Sequence, residues 1–371
     1  MSSANHHRWM AEALRQARKG FYSAHPNPRV GCVIVRDDSM LGAGWHEFTG
    51  GPHAEVNAIA AAGDSAGADF YVTLEPCSHH GRTPPCVDAV IAAEPARVIV
   101  AMQDPNPEIS GRGLERLRDS GIEVVVGVLE SEARDLNPGF VKRMERRLPF
   151  VSIKMALSLD GRSALANGVS QWITGEPARR DVQFLRASCS AILSSARTVL
   201  ADDPSLNLRL SKQDLGQARE LRHPVRVLVD SKLRLSGKEK IFSTEGEIWV
   251  YTCSADAASK ASLIERGAQV IEIADDGAGR ASLPAMLQDM AGRGINEVHT
   301  ECGAGLAGGL IEQQLADQMM LYQAPHLLGD QARGGFELGE LTAMEQRTTC
   351  RICDIRQVGK DLRLTLNLNQ D

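Results

Sequence analysis

Three short stretches bring together residue types suited to metal-assisted hydrolysis: His53-Ala54-Glu55, Glu75-Pro76-Cys77 and Pro84-Pro85-Cys86. One imidazole and two thiolates, from His53, Cys77 and Cys86, can hold a zinc ion and leave its fourth position to water, as catalytic zinc sites do. The spacing predicts that His53 and Cys86 open helices, where the backbone dipole helps keep a thiolate deprotonated. Glu55 lies two residues from a proposed ligand, which places it beside the water and not on the metal. Zinc lowers the pKa of water from about 15.7 to about 7, roughly 12 kcal/mol of easier ionisation at about 1.36 kcal/mol per unit. A lone general base contributes only about 10²–10⁴-fold. The metal would therefore carry most of the activation, and Glu55 would carry the proton to the departing group. A structural zinc site, or two unrelated cysteines with a surface histidine, has no use for that carboxylate.

A second constellation comes late in the chain. The predicted strand Glu297–Glu301 runs into Cys302-Gly303-Ala304-Gly305-Leu306-Ala307-Gly308-Gly309, which opens a helix. Its G-x-G-x-x-G spacing lets backbone N–H groups approach a pyrophosphate. An ordinary Rossmann domain places this loop first and wants an acidic residue about 20 positions on. Here the loop follows most of the strands, and residues 321–328 (LYQAPHLL) hold no acid. Cys350 and Cys353 form a C-x-x-C, but residues three apart on a strand point to opposite faces. With no second pair to complete a site, they are read as ordinary buried or half-buried thiols, like Cys32, Cys189, Cys253 and Cys302.

The elements that must position these groups alternate. Trp9, Met10, Ala13, Leu14 and Ala17 recur at helical spacing, followed by a strand at Val30–Val35. Helices fit His53–Ala62, Pro85–Ala93 and Arg112–Ser120, and strands fit Asp69–Leu74, Arg97–Ala101 and Ile122–Val126. Such alternation favours an α/β fold with mostly parallel pairing. The segment Asn137–Pro149 (NPGFVKRMERRLP) opens on Asn-Pro-Gly and closes on Pro, a plausible seam between domains 1–149 and 150–371. After it, strands fit Val151–Ala156, Val225–Val229, Glu247–Tyr251, Gln269–Ile273 and Glu297–Glu301. A hairpin of Cys350–Gln357 and Asp361–Leu368 around Gly359-Lys360 ends the pattern.

Composition narrows the function classes. The 371 residues are 43% hydrophobic and 24% charged, ordinary for a globular protein of two domains. The first 149 residues hold 16 basic against 19 acidic groups and the remainder 25 against 28, so neither half has the cationic excess of a nucleic-acid binder. No apolar run approaches the ~20 residues that span a bilayer. The start lacks the apolar core of a signal peptide. Eight cysteines are too few for a disulfide scaffold, and a cytoplasmic location is expected.

The H-x-E and Pro-Cys elements resemble the zinc deaminases of nucleosides and nucleobases, whose signature is H-x-E followed by P-C-x-x-C. The C-x₈-C spacing from Cys77 to Cys86, across SHHGRTPP, departs from that signature. It is similar to one branch only, the bifunctional deaminase-reductases of riboflavin biosynthesis. The runs His25–Cys32 (HPNPRVGC), Gly44–Glu55 (GWHEFTGGPHAE), Lys154–Gly161 (KMALSLDG) and Ala201–Arg209 (ADDPSLNLR) resemble the same family, which ties the likeness to nearly the whole chain.

That resemblance implies a cytidine-deaminase-like domain followed by a dihydrofolate-reductase-like domain, with Zn2+ and NADPH as cofactors. It implies that Asn27, His46, His79 and Arg82 contact the substrate in the first. In the second, Ala156, Trp172, Thr198, Asp202, Ser231 and Gly303–Gly309 would contact NADPH. Lys154, Ser170, Arg186, Leu206, Arg209 and Glu301 would hold the phosphoribosyl substrate, two arginines being suited to gripping a phosphate. The expected partner is a small pyrimidine bearing a sugar phosphate, with no nucleic acid and no membrane, and a homo-oligomer is expected through the second domain. A deaminase of nucleic-acid bases with an appended domain explains the zinc motif but not the glycine loop. A zinc-stabilised nucleotide sensor explains both but leaves Glu55 idle.

Overall fold

The computed structural model describes residues 3–79, 84–219 and 222–368, and the chain divides into two compact units, Met1–Arg147 and Leu148–Asp371. The first runs α1 (Ser3–Arg18), β1 (Gly31–Arg36), β2 (Ser39–Trp45), α2 (Ala54–Ala62), β3 (Asp69–Val72), α3 (Cys86–Ala92), β4 (Arg97–Val100), α4 (Arg112–Asp119), β5 (Glu123–Val126), α5 (Glu130–Leu136) and α6 (Pro138–Arg146). Its sheet has the order β2-β1-β3-β4-β5.

Strand alternation sorts the helices onto two faces. On β1, Cys32 and Ile34 point to one side, packing with Ala54 and Ala58 of α2, Val87 and Val90 of α3, and Leu114 and Leu117 of α4. Val33 and Val35 point to the other, against Met10, Ala13 and Leu14 of α1, Leu136 of α5 and Val141 of α6. The result is a helix–sheet–helix sandwich.

Pairing is less parallel than the alternation suggests, because β1 runs antiparallel to both β2 and β3. The cause is local. Asp37 and Asp38 take φ of 52° and 58°, the left-handed pair of a tight two-residue hairpin, and turn the chain straight back. The segment expected as a seam between domains is mostly α6, with Pro138 in its first turn and Gly139 and Val141 buried. Its basic residues remain half-buried or exposed, so charge density concealed an amphipathic helix.

The second unit runs β6 (Phe150–Ser158), β7 (Arg162–Ala164), α7 (Glu176–Ser188), β8 (Ala191–Ser195), α8 (Ala196–Asp202), β9 (Val225–Val229), β10 (Ile248–Thr252), α9 (Ala257–Glu265) and β11 (Ala268–Glu272). It continues through α10 (Leu283–Gly292), β12 (Glu297–Glu301), α11 (Ala304–Glu312), β13 (Gln318–Ala324), β14 (Arg333–Gly334), β15 (Arg351–Val358) and β16 (Asp361–Asn367). Nine strands form one sheet, β11-β10-β9-β8-β12-β6-β13-β16-β15, parallel from β11 to β13 and antiparallel across β16 and β15. Val151, Ile153 and Met155 of β6 meet Met286, Leu287 and Met290 of α10 and Leu310 of α11. Burying each such side chain contributes about 1.5–3 kcal/mol. The opposite face of β6 turns Lys154 and Ala156 away from this core, toward a cavity.

The terminal hairpin forms, but Cys350 and Cys353 are exposed, contrary to expectation. β15 is the outermost strand, and six of its eight residues are exposed on both faces. Cys353 also falls where the pairing register slips between Ile352 and Asp354.

Candidate active sites

In the first unit, His53 is the residue that caps α2, with extended backbone and no side-chain cap bond, so its imidazole is free to face inward. Cys86 begins α3, and its N–H donates to Cys77 Sγ at 3.3 Å. Cys77 follows β3 by five residues, on a stretch held to α3 by the bond from Val87 N to Cys77 O. Across this junction His53 Nδ1 lies 3.1 Å from Cys86 Sγ and 3.6 Å from Cys77 Sγ. All three ligand atoms fall within 4.8 Å of one another, a set of one imidazole nitrogen and two sulfurs that fits zinc with a fourth position left open. The Cys86 hydrogen bond is the main influence that lowers the Cys77 thiol, and Cys77 in turn pushes Cys86 up. Glu55 points inward from the first turn of α2 and is 3% exposed. Burial, then the neighbouring Cys77, push its carboxyl up to about 7.

Asn27 and His46 sit together beside the trio. Asn27 Nδ2 is 3.0 Å from His46 Nε2, and His46 Nδ1 is 3.2 Å from Pro52 O. Nδ1 is thus the protonated nitrogen and Nε2 the acceptor. The His46 and His53 rings meet edge to face at 5.2 Å. His79 is exposed at the edge of this region, and Arg82 lies outside the described residues.

Two acids here went unread in the sequence. Glu75 is buried and accepts from the N–H groups of Asp104, Gly111 and Gly113, at 3.1, 2.9 and 2.8 Å. It ties the loop before α4 to the segment carrying Cys77. Asp104 is buried too, and burial pushes it up to about 6. The only sequence signal was an acid directly preceding Pro76-Cys77.

In the second unit a cavity of about 1060 Å³ opens beside β6 and β12. Fourteen of the expected residues line it: Lys154, Ala156, Ser170, Trp172, Arg186, Thr198, Asp202, Leu206, Arg209, Glu301, Gly303, Ala304, Gly305 and Leu306. Lys154 and Glu301 are register partners on β6 and β12. Arg186 grips Glu301 with both arms, Nε to Oε1 at 2.5 Å and Nη2 to Oε2 at 2.9 Å, while Nη1 donates to Asn207 O at 2.8 Å. Burial alone would raise the Glu301 carboxyl, yet Arg186 and the adjacent His299 hold it well below the usual range. Lys154 is also lowered from its ordinary value, chiefly by burial.

Thr198 Oγ1 accepts from Gly303 N at 3.1 Å, joining α8 to the glycine loop. Ser170 Oγ donates to Asp202 at 3.3 Å, and the exposed Trp172 ring carries the Arg179 guanidinium at 4.5 Å. The Arg209 backbone N–H is held by Gln183 at 2.9 Å. Arg179, Val182, Gln183 and Arg186 present one face of α7 to the cavity, at helical spacing.

Four expected cofactor contacts are not brought to this wall. Ser231 turns its hydroxyl to Ala281 N at 2.9 Å. Ala307 is buried in the core, and a Cβ on Gly308 would come within 1.8 Å of Glu337 O. Gly309 instead faces Leu283. Gly308 therefore serves close backbone packing.

Comparison with known proteins agrees with both halves. A family model described as the cytidine and deoxycytidylate deaminase zinc-binding region matches residues 3–102, and one described as the RibD C-terminal domain matches residues 149–364. The riboflavin biosynthesis protein RibD of Escherichia coli is 45% identical over 96% of this chain and 98% of its own length. The chain belongs to the RibD family.

The solved RibD structure from Acinetobacter baumannii has a TM-score of 0.92 at 40% identity, covering the whole of both chains. A Thermotoga maritima structure titled as a diaminohydroxyphosphoribosylaminopyrimidine deaminase/5-amino-6-(5-phosphoribosylamino)uracil reductase has a TM-score of 0.86 at 33% identity, over 99% of each chain. This RibD-family chain thus has a cytidine-deaminase-like first domain and a dihydrofolate-reductase-like second. It is a bifunctional enzyme of riboflavin biosynthesis, a zinc-dependent deaminase joined to an NADPH-dependent reductase. Among the described residues, no helix is long and apolar enough to cross a membrane.

Proposed function

We propose that residues 1–149 remove the 2-amino group of 2,5-diamino-6-(5-phosphoribosylamino)pyrimidin-4-one as ammonia, and that residues 150–371 reduce the product's ribosyl side chain to ribityl. The final product is then 5-amino-6-(5-phosphoribitylamino)uracil. The observation that carries the first step is a fully enclosed Glu55 carboxyl beside the His53, Cys77 and Cys86 ligand atoms. Zinc, when bound by these three, supplies the Lewis acidity that lets water act as a nucleophile near neutral pH. Glu55 takes a proton from the attacking water and returns it to the departing nitrogen, so that C–O forms as C–N breaks. Its elevated affinity for a proton suits both halves of that exchange. Asn27 and His46 hold the pyrimidine, with His79 and Arg82 on the ring and phosphate.

In the second domain NADPH supplies the hydride for the first carbon of the sugar. Lys154 delivers the accompanying proton, which its burial-lowered affinity favours. Glu301, locked as an anion by Arg186, orients the sugar. Because Arg186 already spends its fork on Glu301 and Asn207, the phosphate falls mainly to Arg209. Ala156, Trp172, Thr198, Asp202 and the loop Gly303–Leu306 receive the cofactor, while Ser170 and Leu206 border the substrate.

Two further readings accompany this one. Eight unpaired cysteines suit a reducing cytoplasm. The outermost strand β15 exposes Ile352 and Ile355, which supports a homo-oligomer built through the second domain.

The test is a mass-spectrometric time course with the diaminopyrimidine substrate and NADPH. Exchange of one amine for oxygen, followed by gain of two hydrogens, is expected from the unaltered chain. Glu55→Gln should lose ammonia release by about 10²–10⁴-fold, while zinc content and reduction of the deaminated substrate survive. Persistent deamination in that variant would refute the assignment.

A further inference from the structure

Past β14 the chain crosses the glycine loop as a strap, and it sets a carboxylate in the cavity. Glu337 N donates to Ala304 O at 3.1 Å, and the Glu337 carbonyl lies where only the missing side chain of Gly308 leaves room. These two contacts fix the Glu337 backbone over the start of α11. Its carboxylate then hangs above Gly305, with Oε2 2.9 Å from the point a Cβ would occupy. Arg197, from the first turn of α8, reaches across and pairs with it at 3.0 Å and 3.5 Å. Arg197, Glu337, Gly303 and Gly305 all line the same cavity.

An acid is an odd neighbour for a loop whose backbone is shaped to admit phosphate. Both side chains are more than half exposed, 68% for Arg197 and 57% for Glu337, so the pair contributes little to stability and is easily exchanged. A guanidinium, by contrast, binds phosphate oxygens through two parallel bonds. Arg333, another cation of this cavity, lies against Gly168 on the β7 side. Lys240 sits 4.0 Å from Asp203.

We infer that the Arg197–Glu337 pair is a placeholder for the cofactor's pyrophosphate: when the dinucleotide binds, Arg197 exchanges the Glu337 carboxylate for pyrophosphate oxygens, and Glu337 opposes that binding. The inference rests on reading Gly303–Leu306 as the cofactor loop. It assigns the two partners opposite effects on one ligand. Arg197 strengthens dinucleotide binding, and Glu337 weakens it by presenting like charge to the phosphates. A purely structural ion pair has a different signature, because breaking it from either side gives the same result.

The experiment is isothermal titration of the full chain with NADP+ and with NAD+, in the absence of substrate. Arg197→Ala should weaken both ligands about tenfold, the usual scale for one charge-assisted contact. Glu337→Gln keeps the strap's size and backbone contacts and should tighten both several-fold. Melting temperatures of both variants should match the unaltered chain. Three results would overturn the inference. One is equal weakening by the two variants, and another is no change in Glu337→Gln. The third is an effect confined to NADP+, which would move Arg197 to the 2′-phosphate. Failure of the unaltered chain to bind either dinucleotide would instead overturn the cofactor-loop reading beneath it.

Discussion

Arg186→Ala would leave the buried Glu301 carboxylate without its bidentate partner. The two side chains are only 9% and 14% exposed, so solvent would do little to replace the lost contacts. Removing one member of such a pair costs about 3–5 kcal/mol. At about 2–4 °C per kcal/mol for a domain of this size, the second unit should melt roughly 6–20 °C lower. The loss should also depend on pH in a defined direction. In the unaltered chain Glu301 is held well below the usual carboxylate range. Its stabilisation is therefore complete above the unfolded value of about 4.3 and fades only as pH falls through the depressed folded value. In the variant, burial without Arg186 raises the same carboxyl, so the penalty starts near pH 4.3 and grows as pH rises. At pH 5 the ionisation part is about 1 kcal/mol, at about 1.36 kcal/mol per unit, and by pH 8 it approaches its full size. Calorimetric melts at both pH values read this directly, with the first unit's transition as an internal control. Arg186→Met combined with Glu301→Leu should recover most of the loss, since removing both partners leaves no stranded charge. Equal losses at pH 5 and pH 8, or no recovery in the double variant, would refute the reasoning.

Other outcomes are specific to single residues. Cys77→Ser should lose bound zinc, read by metal analysis, and all deamination, yet still reduce deaminated substrate with NADPH. Gly308→Ala places a Cβ 1.8 Å from the Glu337 carbonyl. The strap must lift, with an expected cost of about 1–3 kcal/mol in denaturant melts.

Legibility in the sequence followed the range over which each signal acts. His53, Glu55, Cys77 and Cys86 were readable because each sits in a short local motif, His-x-Glu at a helix start or Pro-Cys at a junction, although His53 and Cys86 are 33 positions apart. Arg186 and Glu301 are 115 positions apart. Each looked like a phosphate or sugar contact by itself, and only the fold, which brings Arg186 of α7 within reach of β12, makes them a pair. Glu75 was missed for a related reason: its partners are three backbone N–H groups, which no side-chain pattern reports. Ser231 lies in the turn after β9, where its hydroxyl accepts from Ala281 N, a contact that no local pattern announces. Periodicity failed at β2, which is rich in glycine at the points where α2 packs closest. β15 was readable as a strand, but not its exposure, because at the uncovered sheet edge neither of its faces is an inside.

The two active sites use the same residue type in opposite ways, and the environment of each explains how. Burial raises both Glu55 and Glu301, because either carboxylate loses water on entering the protein. What differs is the nearest strong charge. Glu55 stands beside the Cys77 thiolate, which adds to burial and leaves a carboxyl near 7 that can both take and give a proton. Glu301 stands in the Arg186 fork, which outweighs burial and leaves a permanent anion. A permanent anion cannot donate. On the function proposed above, the proton that accompanies hydride in the second domain would then come from Lys154, the register partner of Glu301, whose ammonium is destabilised by burial.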